Sequence, residues 1–202
     1  STEGIVESAN YGLAATGHKA ASRESIRRTI GLSLKETYAV LTGDGSGENA
    51  ALFDRCFKER ADQVMVENSQ LYPGALEVLS CLKEQGIRTG IVTTKFHYRI
   101  DAIMEKCQGT PYIDAVVGGE DVKSPKPDPE GVLSLLDLWG LQRDEVLYVG
   151  DSLVDARTAQ AAGVAFAGVT TGTTTKEELE QYPGIGVYRN LEELGKLFSR
   201  FA

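Results

Sequence analysis

The ten residues from Val146 to Asp155, VLYVGDSLVD, decide the fold. They begin with a short apolar run, Val146 to Val149, which is typical of a strand covered on both faces. A glycine and an aspartate end that run, and a helical pattern then continues as far as Gly163. A strand that passes directly into a helix is the repeating unit of a parallel α/β sheet. The stretch therefore predicts an α/β fold.

The same alternation of strand and helix extends to both sides of this stretch. The predicted strands are Thr89–Thr93, Ala115–Val117, Val146–Val149 and Val164–Val169. Helical patterns separate them, and a last helix is expected from about Leu191 to Phe201. The Gly/Thr-rich stretch from Gly168 to Thr175 is predicted to be a loop. Together these elements predict a doubly wound, mostly parallel, Rossmann-like sheet.

The first seventy or so residues carry helical patterns only. Ser22 and Ser33 are candidate N-caps, and Gly43 is a candidate helix end. The character of the sequence changes at Pro73, where strands begin to alternate with helices. We predict a helical domain over residues 3–72 and an α/β core over residues 73–202.

Composition limits the classes of partner. The 202 residues carry a net charge of −8, which argues against nucleic acid and anionic membranes because both favour basic surfaces. No apolar run approaches the length of a membrane span, and no signal peptide is visible after Ser1. Three cysteines without a CxxC pair are interpreted as reduced thiols, so we expect a cytoplasmic protein.

Two carboxylates end the third predicted strand. Asp151 follows Gly150, and Asp155 lies four residues further on, so both carboxylates can face one point. Paired carboxylates at a strand end suit Mg²⁺, which takes one or two of them together with water and phosphate oxygens. The simpler interpretation is helix capping by Asp151, with Asp155 in a surface turn.

Two other strand ends carry candidate phosphate ligands. Thr93 and Thr94 end the first strand, where a hydroxyl and backbone amides are available to an anion. Lys126 lies between two prolines, which restrict the loop and fix the direction of a positive charge. Considered alone, each is more simply a strand-end residue or a solvated lysine. His97 opens the next helix, and a surface role is its simpler interpretation.

Considered together, these residues resemble the motifs of the haloacid dehalogenase (HAD) superfamily. The strand that ends at Thr93 looks like that family's second motif, and Lys126 in KPDP looks like its third. The run VGDSLVD, with Asp151 and Asp155, looks like its fourth. The helical region is similar to the small cap of the phosphoglycolate-phosphatase, pyrophosphatase and β-phosphoglucomutase branches. The resemblance covers nearly the whole chain.

The first motif of the family, a strand followed by Asp-x-Asp-Gly-Thr, is not found among the 202 residues. Its first aspartate is the family's nucleophile and its second is the general acid/base. The region after Ser1 looks like the segment just downstream of this motif. We therefore expect the first core strand and both catalytic aspartates upstream of residue 1.

The resemblance implies a Mg²⁺-dependent phosphatase that hydrolyses a small phosphate ester, phosphoglycolate or a similar metabolite, through an aspartyl-phosphate. It implies that Thr93 and Thr94 bind the phosphoryl group and that Lys126 neutralises its charge. Asp151 would hold the metal, and Asp155 would support the metal or orient Lys126.

Substrate choice is expected to depend on the cap. Arg27 and Arg28 lie at a position that resembles the cap's substrate loop, although a solvated helix face is their simpler interpretation. A monomer or homodimer is expected. Two alternatives stay open: a phosphomutase on the same fold, and a non-catalytic phosphate-binding module if the chain truly starts at Ser1.

Overall fold

The chain divides into two compact units, Ser1–Gln70 and Leu71–Ala202. The structure is a computed structural model that describes residues 2–45 and 47–198. The predicted last helix, Leu191 to Phe201, is shorter in the structure, where it ends at Gly195. Phe201 itself and the predicted end of the core at residue 202 lie outside the described residues. Within the described ranges, no helix is both long and apolar enough to cross a bilayer.

The first unit is built from helices. They are α1 (Thr2–Ala15), α2 (Arg23–Arg27), α3 (Leu34–Thr42) and α4 (Gly47–Glu67). The two predicted N-caps are confirmed: the hydroxyl of Ser22 accepts from the amide of Ser25, and Ser33 forms a capping box with Glu36. Gly43 ends α3 with a positive φ of 73°, a conformation that glycine adopts without strain.

An apolar core holds the first unit together. Leu13 on α1, Tyr38 on α3 and Phe53 on α4 are each at most 1% exposed. The rings of Tyr38 and Phe53 lie 5.3 Å apart. Helices α1 and α4 approach closely at Gly12, where an added Cβ would lie 2.8 Å from the Phe53 ring. Burial of apolar side chains is therefore what stabilises this unit.

The second unit alternates helices and strands. They are α5 (Ala75–Glu84), β1 (Gly90–Val92), α6 (His97–Lys106), β2 (Ala115–Val117), α7 (Glu130–Trp139), β3 (Leu147–Gly150), α8 (Leu153–Ala162), β4 (Ala165–Val169), α9 (Lys176–Leu179), β5 (Gly186–Tyr188) and α10 (Leu191–Gly195). The predicted α/β fold class is confirmed, and the four predicted strands are all present within one or two residues.

The strands form two parallel groups. β1 pairs with β2, and β3, β4 and β5 pair in that order. Val92 lies opposite Val117 in the first group, and Gly150 lies opposite Gly168 in the second. Among the described residues, β1 and β3 each have one edge without a strand partner. Helix α7 packs against β1, β2 and α8, so one core joins both groups.

Two elements of the second unit were not predicted. β5 has only three residues and starts at a glycine with a φ of 145°, so its sequence lacks a clear strand pattern. Helix α9 has only four residues, yet Thr175 and Glu178 form a capping box that is visible in the sequence as Thr-x-x-Glu. The predicted loop that ends at Thr175 therefore runs directly into a helix.

Candidate active site

A lysine–aspartate ion pair lies at the carboxyl end of β3. The Nζ atom of Lys126 is 2.7 Å from Oδ1 of Asp155, and the two side chains are only 19% and 10% exposed. The hydroxyl of Tyr148 donates to the same Oδ1 at 3.2 Å and lies 3.4 Å from the lysine ammonium. The lysine charge is thus fixed at one position rather than solvated in a mobile loop.

The other oxygen of Asp155 is also fully engaged. Its Oδ2 accepts from the hydroxyl of Ser152 at 2.6 Å and from the backbone amide of Asp151 at 3.3 Å. Burial alone would raise the pKa of Asp155, but Lys126 and these hydrogen bonds more than offset burial and hold it below its usual range. Asp155 is therefore an anion that accepts four hydrogen bonds, two on each carboxylate oxygen, and both oxygens are fully occupied by them.

Glycine is required beside this carboxylate. A Cβ atom at Gly150 would lie 2.3 Å from the Cβ of Asp155, which is closer than real side chains approach. The turn is also fixed by Ser152, whose hydroxyl caps the first turn of α8 by accepting from the amide of Asp155. The strand-to-helix turn thus holds Asp155 against the end of β3.

Asp151 is placed differently from Asp155. Burial, followed by the nearby charge of Asp155, raises the pKa of Asp151, while Lys126 and Lys95 act in the opposite direction. The backbone of Gly172 packs on it so closely that a Cβ there would lie 2.6 Å from Oδ2. A partly buried carboxylate under these conditions gains stability from an added cation.

Thr93, Thr94 and Lys126 line one small pocket between the loops that follow β1 and β2. The hydroxyl of Thr93 accepts from the amide of Lys95 at 3.2 Å, which fixes the turn after β1. Because Lys126 also contacts Asp155, the structure brings four of the predicted site residues to one end of the sheet: Thr93, Thr94, Lys126 and Asp155. Asp151 lies close enough for its charge to interact with Lys126.

A second polar cluster ties the two pocket loops together. The imidazole of His97, at the start of α6, is paired with Asp121, and both side chains are more than a third exposed. Asp121 also accepts from the amide of Gly118 at 2.7 Å, and the amide of Gly119 donates to the carbonyl of Lys95 at 3.0 Å. His97 therefore has a role at the surface, in joining two loops.

The side chains at the strand ends offer few ligands for Mg²⁺. Over the described residues, no group of three or more carboxylate, imidazole or thiol side chains is arranged so that it could hold a metal ion. Asp151 offers a partly buried carboxylate, which fits one position of a magnesium ion that keeps water and phosphate oxygens as its other ligands. Asp155 has both oxygens engaged, so its contacts favour the orientation of Lys126 over direct metal ligation.

The two candidate cap residues lie in the helical unit. Arg27 is the last residue of α2 and is exposed. Arg28 is also exposed, and its Nε is 3.2 Å from the carboxylate of Glu24, one helical turn away. Their part in substrate binding stays a prediction.

Three residues of the cluster were not singled out from the sequence. In the sequence, Tyr148 is simply part of an apolar strand, and Ser152 is simply part of the run that follows it. Lys95 is partly buried, and its pKa is lowered by burial and by the positive charges of Lys126 and Arg99. The sequence signal that could have identified them is their position, because Tyr148 lies in β3, Ser152 follows β3 and Lys95 follows β1.

The chain is similar to known hydrolases and phosphatases. The family model of haloacid dehalogenase-like hydrolases matches residues 1–169. A phosphoglycolate phosphatase of Photorhabdus laumondii is 30% identical over 187 residues, 89% of this chain and 78% of that protein. The phosphoglycolate phosphatase of Escherichia coli K12 is 31% identical over 143 residues. That match takes in 71% of this chain and only 55% of the E. coli enzyme.

Solved structures show the same fold. A structure described as a haloacid dehalogenase-like hydrolase from Bacteroides fragilis has 41% sequence identity and a TM-score of 0.86, over 96% of this chain and 92% of that one. A predicted phosphoglycolate phosphatase from Haemophilus somnus has a TM-score of 0.89 at 23% identity, over 98% and 91% of the two chains. At that identity the second likeness concerns the fold alone.

Proposed function

Because the chain belongs to the haloacid dehalogenase-like hydrolases, we propose that its strand-end site serves a phosphatase acting on a small phosphorylated metabolite. The observation that carries this proposal is the fixed ammonium of Lys126, which shares a pocket with Thr93 and Thr94. A lysine and two threonines around one small space are residue types that suit the oxygens of a phosphoryl group. The phosphoglycolate phosphatases among the relatives make phosphoglycolate the first ester to test.

The proposed roles follow from where the side chains lie. Thr93 and Thr94 bind oxygens of the phosphoryl group, and Lys126 neutralises the charge that grows on it during transfer. A carboxylate attacks phosphorus, the ester oxygen leaves as the alcohol after taking a proton, and water then cleaves the aspartyl-phosphate. Asp155 acts by holding Lys126 in place.

The attacking carboxylate is proposed to come from outside residues 1–202. The sequence contains no Asp-x-Asp-Gly-Thr string, and Asp155 already accepts four hydrogen bonds. β1 and β3 each have an edge without a strand partner among the described residues, so a further parallel strand between them would complete the sheet. A nucleophile at the end of such a strand would emerge beside Thr93 and Asp151.

Magnesium is the proposed cofactor, with Asp151 as its ligand in this chain. When bound, Mg²⁺ would reduce the repulsion between an attacking carboxylate and the phosphate. The raised pKa of Asp151 supports this role, because burial and the Asp155 charge make a carboxylate there costly without a cation. The assignment of Asp155 as a second metal ligand stays a prediction, and its hydrogen bonds argue against it.

The helical unit is proposed to be the cap that selects the substrate. Its residues 2–45 and 47–70 contain helices and connections and no strand. Arg27 and Arg28 would then supply positive charge for a substrate carboxylate or a second phosphate.

A phosphatase screen of the full-length protein tests the proposal. Phosphate release from a panel of esters, including phosphoglycolate, is measured with and without Mg²⁺. We expect Mg²⁺-dependent release that Asp151→Asn strongly reduces. Asp144→Asn is the matched control, because Asp144 is an exposed aspartate outside the cluster. If no ester is hydrolysed at any Mg²⁺ concentration, the proposed function is wrong.

A further inference from the structure

Tyr148 is a tyrosine on an otherwise apolar strand, and its hydroxyl lies inside the charged cluster. The hydroxyl donates to Oδ1 of Asp155 at 3.2 Å and is within 3.4 Å of the Lys126 ammonium. The ring packs beside the buried cluster that includes Val132 and Phe166. One side chain therefore connects the apolar core to the ion pair.

The hydroxyl contacts both members of the pair at once. It gives Oδ1 of Asp155 a second donor beside Lys126, and it offers Lys126 a second acceptor beside Asp155. An ammonium group has three protons that rotate about a flexible stem, so a single partner leaves its direction poorly defined. Two acceptors fixed relative to each other define that direction.

The tyrosine stays protonated in this environment. Burial, together with the charge of Asp155, raises the pKa of Tyr148 far above its ordinary value. The hydroxyl therefore remains a hydrogen-bond donor to Asp155 throughout the physiological pH range.

We propose that Tyr148 is a positioning residue, whose hydroxyl fixes the Lys126–Asp155 pair and thereby the direction of the Lys126 ammonium at the carboxyl end of β3. This inference rests on the proposed phosphatase function. Tyr148 touches Lys126 and Asp155 and acts on the substrate only through them. A phenylalanine would fill the same space in the core, so packing alone does not require the hydroxyl.

The hydroxyl is tested with Tyr148→Phe in the full-length protein. We expect kcat for phosphate release to fall about tenfold, the scale of one hydrogen bond to a charged group, while KM changes less than about twofold. Tyr188→Phe is the matched control, because within the described part of the chain the Tyr188 hydroxyl donates to the nearby Ile185 carbonyl at 3.4 Å, away from the ion pair. That variant should keep the wild-type kcat.

A second measurement on the same proteins does not depend on turnover. Lysine side chains are acetylated slowly, and the rate at each lysine is followed by mass spectrometry. We expect labelling of Lys126 to become several-fold faster in Tyr148→Phe. Labelling of Lys83, which bonds to the Pro111 carbonyl elsewhere in the unit, should not change.

The two measurements separate this inference from the proposed function. If wild-type protein hydrolyses no ester, the phosphatase proposal fails, and the labelling of Lys126 alone decides the role of Tyr148. A folded Tyr148→Phe protein with unchanged kcat and unchanged Lys126 labelling would overturn the inference. If the phenylalanine variant does not fold, the inference is also overturned, because the hydroxyl is then required for folding and not only for positioning the ion pair.

Discussion

The two units of the chain differ in the polar groups they bury. In the helical unit, two buried polar side chains are neutral and bond to nearby backbone: Ser8 donates to the Gly4 carbonyl and Thr29 to the Ile26 carbonyl, both at 2.7 Å. Two ion pairs there, Lys58–Asp54 and Arg60–Glu7, have cationic side chains that are 61% and 34% exposed. The α/β unit instead places a lysine and an aspartate where they are 19% and 10% exposed.

This difference supports the proposed location of the active site. Removing two charges from water costs several kcal/mol per ion, and their attraction only partly recovers it. A fold that needed stability alone would favour an apolar pair at the same place. The helical unit is consistent with this expectation, because its core is apolar. The α/β unit departs from it, because a largely buried ion pair lies at the strand ends of β1 and β3. Such departures are typical of functional sites.

The largest expected effect on stability lies in the helical unit. Leu13→Ala removes a side chain that is 1% exposed, so we expect the free energy of unfolding to fall by about 2–5 kcal/mol. Leu32→Ala is the control in the same unit, because Leu32 is 45% exposed, and it should change stability by less than about 1 kcal/mol. Urea denaturation measures both. Equal effects would mean that the apolar core is not what stabilises this unit.

The ion pair should behave as a coupled unit. Asp155→Asn leaves the partly buried Lys126 without its counter-charge, and we expect a loss of about 2–3 kcal/mol. Adding Lys126→Met should recover part of that loss, because the unpaired charge is then gone. A double-mutant cycle in urea measures the coupling. Additive losses would show that the pair is solvated and that the contrast between the units is wrong.

The surface pair of His97 and Asp121 should make the smallest contribution to the free energy of unfolding, and this contribution should depend on pH. The hydrogen bond to Asp121 raises the pKa of His97, while the same bond lowers that of Asp121. The contribution of His97 is therefore fully present below its unfolded-state pKa and is lost as pH rises through the folded-state value. The Asp121 contribution is lost as pH falls through its lowered pKa. The pair therefore stabilises the fold at pH values between the lowered pKa of Asp121 and the raised pKa of His97.

The charged groups that face His97 are Asp121, Glu120 and Asp101, all acidic, so the sign of this effect is clear. His97→Ala should lower the melting temperature at pH 5.5, an effect of less than about 1 kcal/mol, and should have almost no effect at pH 9. Thermal melts at the two pH values measure it. An equal loss at both would mean that packing, rather than charge, joins the two loops.

Much of the fold could be predicted from local sequence. The apolar runs at β1 to β4 and the caps at Ser22 and Ser33 carry their own signals, because burial on both faces and helix capping depend on neighbouring residues. β5 could not be predicted in this way, since three residues that begin at Gly186 become a strand only by pairing with β4.

The site was predictable in position but not in its contacts. Thr93, Lys126 and Asp151 follow strands, and parallel strands bring their carboxyl ends to one edge. That Asp155 holds Lys126, and that Tyr148 reaches both, depends on the turn at Gly150 and on how α8 packs on the sheet. Sequence spacing alone placed Asp151 and Asp155 on one face and did not distinguish a metal ligand from a lysine partner.

The central claim is that this strand-end site transfers phosphoryl groups with a carboxylate supplied from outside residues 1–202. The most direct test compares phosphate release by residues 1–202 alone with release by a longer protein that carries the proposed strand and its aspartate before Ser1. An aryl phosphate and phosphoglycolate serve as substrates, with Mg²⁺ present. We predict trace activity for residues 1–202 and a rate several orders of magnitude higher for the longer protein. Equal, robust turnover by residues 1–202 would contradict the account, because the nucleophile would then have to lie among them.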